Sequence, residues 1–441
     1  MSHVFHRSPG ASYPVAVGGD GSWLIDKNGK RYLDAAGGAA VSCLGHSDKR
    51  VVEAIKAQLD KLPFAISSFF TTDACEELAD RLIADGPPGM SHVWYAVDGS
   101  EAIESALKLA RQYFVEIGQP QRHHVIARRM SYHGNTIAAL STGYNPGRRA
   151  LYEPLLLDSH HIDPCYEYRG KQEGESTADY GQRMANQLEA KILELGADSV
   201  MAFVAEPVVG ATLGCVPAVE GYFKRIRQIC DKYGVLLILD EVMCGLGRTG
   251  VLHACTGGGV VPDLLVDAKG LGAGYQPLGT VMIIKKVADA VMNGSGAFVH
   301  GHTFQGHAAA CAGALAVQKI FEEDGLVQRS AEMGALLRAR LESRFGNHPH
   351  VGDIRGKGLF QGVELVADRM TKTPFDPKHK VHLKVKAGGM ERGLAVYPMG
   401  GTLDGFRGDH IVIAPPFIIQ ESEIDYLVDR LAATIDAAIP A

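Results

Sequence analysis

The 441-residue chain carries 44 Lys and Arg against 50 Asp and Glu, a formal net charge of -6, and 46% of its residues are hydrophobic. That balance offers no basic footprint for nucleic acid or for an anionic membrane surface, and the length suffices for a large core with a second, smaller domain. Eight scattered cysteines without a CxxC pair, an N-terminus lacking a secretory apolar stretch and no run of membrane-spanning length read as a cytoplasmic protein.

In chain order, strand-like pieces over residues 22–25 and 31–33 flank Asn28-Gly29, a hairpin signal. Helical periodicity follows over 48–62 and 72–83, the latter with Asp73 and Glu76 in its first turn. Strands are expected over 92–97, 124–127 and 201–205, with a helix over 101–112 between the first two. Such alternation predicts an α/β protein with a mainly parallel, doubly wound sheet. Gly170, Gly174 and several charges mark residues 166–179 as an exposed excursion. From 326 the pattern becomes an amphipathic helix to 345, a strand over 358–365, a helix over 380–392, strands over 394–397 and 411–413, and a last helix from about 421. The expected organisation is an N-terminal segment (1–50), a large domain (51–325) and a smaller α+β domain (326–441).

The densest chemistry lies between 235 and 269. Val235–Leu239 reads as a buried strand, with Asp240 and Glu241 immediately after it. A second apolar run, 263–267, delivers Lys269 into the glycine-rich turn 270–274. Burial depresses a lysine pKa and makes its amine nucleophilic. An acid and a lysine at strand ends lie where open α/β sheets place ligands, and pyridoxal phosphate chemistry needs both. The competing structural reading has Asp240 capping a helix and Lys269 solvated in a loop.

Other segments supply candidate partners. Gly99 and Ser100 precede a helix whose free N–H groups and dipole favour a phosphate. Tyr132 and His133 follow a strand, and Tyr132 offers an aromatic platform. His300, His302 and His307 form a spaced histidine cluster, but no ordered carboxylate or thiolate set accompanies them, and no metal is expected. Gly245–Gly250 fits GxGxxG, yet five residues separate it from the strand. Residues 236–241 imitate the metal-binding strand of a P-loop ATPase, but the chain has no G-x-x-x-x-G-K-[ST] motif.

The run Leu239–Gly250 followed by Pro262–Gly272 resembles the signature of class III aminotransferases, the ω-amino acid and ornithine branch of the pyridoxal-phosphate fold type I enzymes. The resemblance implies Lys269 as the Schiff-base lysine, Asp240 as partner of the pyridine nitrogen, Val242 against one ring face and Glu206 beside the cofactor. It implies Gly99 and Ser100 at the phosphate, with Ile103 standing where the family usually has Asn, and Tyr132 and His133 in its Tyr-His-Gly run. Thr303 would reach the phosphate of a neighbouring subunit, so a homodimer with shared sites, or a dimer of dimers, is expected. Arg407, with Arg355 as second candidate, would clamp the acceptor carboxylate. The implied reaction is ping-pong transamination between an amine or ω-amino acid and a keto acid such as pyruvate. The alternatives are a lyase or racemase of the same fold and, more distantly, a non-catalytic nucleotide-binding protein.

Overall fold

In the computed structural model, which describes residues 3–440, a seven-stranded sheet forms the centre. Its strands in chain order are β1 (Met90–Ala96), β2 (His124–Arg128), β3 (His160–Ile162), β4 (Val200–Ala205), β5 (Leu236–Asp240), β6 (Leu264–Asp267) and β7 (Gly279–Ile284), arranged side by side as β1-β7-β6-β5-β4-β2-β3. β5 lies parallel to β4 and β6, and β2 parallel to β3 and β4. β7 runs antiparallel to both β6 and β1. The sheet is thus mostly parallel with one reversed strand, and β7 escaped the sequence reading.

Every residue of β4, β5 and β6 is buried, which explains why these strands read as continuous apolar runs. Alternate side chains nevertheless enter two separate cores. Leu237, Leu239 and Leu265 pack on one face with residues from the helices Thr177–Leu195, Tyr222–Tyr233 and Ala308–Glu323. Leu236, Ile238, Leu264 and Val266 pack on the other with the helices Gly99–Glu116 and Lys285–Asn293. Ile103 belongs to this second core and is fully buried, so the residue that departs from the family pattern fills apolar space. Truncating any of these leucines to alanine should cost about 2–5 kcal/mol.

Two smaller sheets flank the large one. Strands Ala16–Asp20, Trp23–Asp26 and Arg31–Asp34 form a meander that Leu394–Ala395 joins in parallel. Gly29 takes φ +79° in the expected hairpin turn. Strands Val351–Lys357, Phe360–Leu365, Asp409–Ile413 and Tyr397–Gly400 make an antiparallel sheet. The strand expected over 394–397 is therefore divided between two sheets. The one expected from 358 starts at Phe360, because Gly358 turns the chain at φ +53°. The excursion expected over 166–179 is partly anchored: Tyr166 is buried with its hydroxyl on Glu364, and Arg169 donates to the same carboxylate at 2.9 Å. Among the described residues, no helix is long and apolar enough to cross a membrane.

Candidate active site

Asp240 is the last residue of β5 and is 4% exposed. Its Oδ2 lies 2.8 Å from Nδ1 of His133, and its Oδ1 accepts the Val242 N–H at 3.0 Å. On the neighbouring strand, β6 ends at Asp267, and two residues later Lys269 sits in the left-handed region at φ +44°. Such backbone costs a non-glycine residue of order 1–3 kcal/mol and persists only where surroundings enforce it. Here they do: a Cβ on Gly272 would meet the Gln276 carbonyl oxygen at 2.3 Å, so the turn after Lys269 closes tightly. The Lys269 side chain is partly buried and borders the cavity. Burial lowers its pKa, opposed by attraction from Asp240 and Glu206.

The opposite end of the cavity is the start of the helix Gly99–Glu116. Asp98 caps it by accepting the Glu101 N–H at 2.9 Å, leaving the first-turn amides of Gly99 and Ser100 as donors. Glycine is required at two points: a Cβ on Gly99 would lie 2.9 Å from Val242 Cγ1, and one on Gly134 would lie 2.8 Å from Ser100. Glu206 follows β4, and burial pushes its carboxyl up to about 7. Its Oε2 and the Nε2 of His133 are buried without a hydrogen-bond partner.

These residues enclose a cavity of about 450 Å³, lined among others by Gly99, Ser100, Tyr132, His133, Glu206, Asp240, Val242 and Lys269. The volume, the glycine-lined helix start and the unpartnered Glu206 oxygen fit a small phosphorylated heterocycle such as pyridoxal 5'-phosphate. A second cavity of about 630 Å³ shares Tyr132, Met243 and Lys269 with the first and extends to Arg7, Arg148, Tyr152 and Tyr397.

The structure does not bring every expected residue to this place. Arg407 is bound to Asp404 at 2.6 Å with its side chain 60% exposed, and it lines neither cavity. Arg355 is buried elsewhere, against Glu364 at 2.7 Å and Asp353 at 2.9 Å. Both guanidiniums are already committed to carboxylates of the chain. Thr303 lies exposed in the loop before the helix Ala308–Glu323. His300 and His302 stack edge to face at 4.8 Å, and His300 Nε2 meets the Ser105 hydroxyl at 3.0 Å, a packing arrangement and not a shared ligand set.

One functional candidate went unseen in the sequence. Arg148 lies on the short helix Pro146–Arg149 and holds its guanidinium 4.7 Å over the Tyr132 ring, facing the second cavity. Among the described residues no carboxylate pairs with it. Its only sequence signal was the Arg148-Arg149 pair, and Arg149 turns inward to the Ser141 and Gly143 carbonyls at 2.8 Å.

Residues 8–435 match the model of the family described as aminotransferase class-III. An uncharacterised aminotransferase of Schizosaccharomyces pombe is 45% identical over 441 residues, covering 100% of this chain and 96% of the relative. A diaminobutyrate–2-oxoglutarate transaminase of Halomonas elongata is 36% identical, over 96% of this chain and 90% of its own. The crystal structure of an (S)-enantioselective omega-transaminase from Thermomicrobium roseum superposes with a TM-score of 0.93 at 36% identity, over 100% of this chain and 97% of that one.

Proposed function

The chain belongs to the class III aminotransferases, pyridoxal-phosphate enzymes that move an amino group from a donor to a keto acid, and from that premise we propose how its own residues divide the work. The observation that carries the proposal is the convergence of Lys269, Asp240 and the Gly99–Ser100 helix start on one cavity. Lys269 would hold the cofactor's aldehyde carbon, Asp240 its ring nitrogen, Gly99 and Ser100 its phosphate, and Val242 and Tyr132 its faces. The bound cofactor supplies an electron sink for the pair left behind when the donor carbon loses its proton.

The protein's part is to place and move that proton. Burial keeps the Lys269 amine neutral more readily than an exposed lysine. Once the incoming donor amine replaces it at the carbon it would hold, the freed Nζ would accept the proton from the donor carbon and, once charged, would deliver it elsewhere on the reacting system. Asp240, held by His133 and the Val242 amide, would present its carboxylate to the ring nitrogen.

On the acceptor side, Arg148 takes the carboxylate role that the resemblance gives to Arg407, because Arg148 is unpaired and lines the cavity while Arg407 is paired outside it. A free guanidinium over Tyr132 offers two parallel donors to a keto acid such as pyruvate. The apolar lining by Met243, Leu140 and Ile137 suits a donor with an uncharged body, which supports an amine or ω-amino acid. The assembly we propose is a homodimer. Phe69, Phe70 and Phe304 are exposed, Phe64 packs on Phe304 at 5.8 Å, and Thr303 stands beside them, forming an apolar patch suited to a second subunit. Eight unpaired cysteines accord with a reducing, cytoplasmic setting.

The test is the visible spectrum of the purified holoenzyme during addition of an ω-amine and then pyruvate. A band that shifts with the amine and returns with pyruvate supports the proposal. Ammonia release or stereochemical inversion without a keto product would instead place the chain with lyases or racemases.

A further inference from the structure

Behind the ends of β5 and β6, away from the cavity, three ionisable side chains meet in the interior. Glu241 follows β5, Asp267 ends β6, and His253 comes from the loop between them; they are 1%, 0% and 2% exposed. One ligand atom from each lies within 4.8 Å of the others. Both oxygens of Asp267 and the Nδ1 of His253 have no hydrogen-bond partner. Glu241 accepts the Ala254 and Cys255 N–H groups at 2.6 and 2.7 Å, which leaves a lone pair free on each oxygen. Among the described residues no Lys or Arg forms an ion pair with Glu241 or Asp267. Two carboxylates in this position are costly unless something positive lies between them.

We propose that Glu241, His253 and Asp267 form a buried binding site for one first-row divalent transition-metal ion, zinc(II) being the natural occupant of an imidazole and carboxylate set of this kind. A divalent ion neutralises the two carboxylates and satisfies the three orphaned atoms together. The mixed nitrogen and oxygen donors and the dry surroundings suit zinc better than calcium or magnesium, which require more oxygen ligands or retained waters. The remaining edge of the His253 ring interacts with the Asp85 backbone, as the second nitrogen of a ligating imidazole generally does. The ion touches neither cofactor nor substrate. It ties the strand end carrying Asp240 to the strand end that leads into Lys269, and so acts as a positioning element for both.

The test measures zinc in the purified holoenzyme after chelation, addition of one equivalent of zinc sulfate and exhaustive dialysis. About one zinc per chain is expected, with a higher unfolding temperature than the chelated protein. Asp267→Leu, an apolar residue in an apolar strand, and His253→Gln should each abolish retention while keeping the cofactor absorbance. If Asp267→Leu does not fold, His253→Gln alone decides. Absence of retained zinc in the wild type, with no change in unfolding temperature, overturns the site in favour of two carboxyls that hold protons. Zinc kept by His253→Gln but lost on substituting His160 overturns it in favour of the partly exposed His124, Asp158 and His160 group.

Discussion

The two walls of the joined cavities are built by different means. On one, Asp240 and Lys269 sit at or just beyond the ends of adjacent, wholly buried strands, and Gly99 and Ser100 start an 18-residue helix packed on the same sheet. On the other, Arg148 rides a four-residue helix, Tyr397 begins a strand of the C-terminal sheet, and Arg7 belongs to the N-terminal segment. The first wall cannot shift without disturbing sheet hydrogen bonds and two cores. The second depends on short elements from distant parts of the chain. In the proposed assignment, reaction chemistry rests on the rigid scaffold, and substrate choice on parts that can vary without altering it.

The largest break in this comparison should come from Lys269→Ala. It removes the group proposed to move the proton, and kcat should fall by about 10³-fold or more while the unfolding temperature stays near that of the wild type. A fall below tenfold would show that the rigid wall does not carry the chemistry. Glu206→Gln sharpens the same wall through its charge. Burial raises the Glu206 carboxyl from the ordinary 4.5 to about 7. Its contribution to stability is therefore fully present below pH 4.5 and is lost as pH rises through about 7. Relative to Glu206→Gln, the wild type should lose up to about 3 kcal/mol across that window, read from urea unfolding midpoints at several pH values. A flat difference would contradict the burial argument.

The substrate wall should respond more mildly and more selectively. Losing a charge-assisted contact at Arg148 costs about 2 kcal/mol, so Arg148→Ala should raise KM for pyruvate roughly 10- to 100-fold with little effect on a neutral amine donor. Arg407→Ala should change either KM by less than about twofold. The opposite ranking would return the carboxylate role to Arg407, and with it a loop that releases Asp404 when the acceptor binds.

The difference between the walls also governs what was legible in the sequence. Asp240, Val242 and Lys269 lie in one continuous motif, and Gly99, Ser100, Tyr132 and His133 in two short ones, because a strand end or a helix start writes its role locally. Arg148 has no such signature. It becomes a candidate only when the chain folds Pro146–Arg149 against Gly405, where a Cβ on Gly147 would sit 2.4 Å from the Gly405 carbonyl oxygen. Arg407 is a candidate in the sequence, which shows the arginine and not the Asp404 that accepts from it in the fold. β7 was missed because Gly279 and Thr280 dilute its apolar pattern, and its pairing partners β6 and β1 decide its conformation. The Glu241, His253 and Asp267 group was invisible for the same reason as Arg148, since its members come from three separate segments.

The assignment of the cofactor's attachment to Lys269 is tested most directly by borohydride reduction of the holoenzyme, followed by proteolysis and mass spectrometry. Reduction should fix one pyridoxyl phosphate per chain on the peptide containing Lys269, and on no other lysine. A label on a different lysine, or a protein that releases its cofactor unreduced, would contradict the placement of the chemistry at the end of β6.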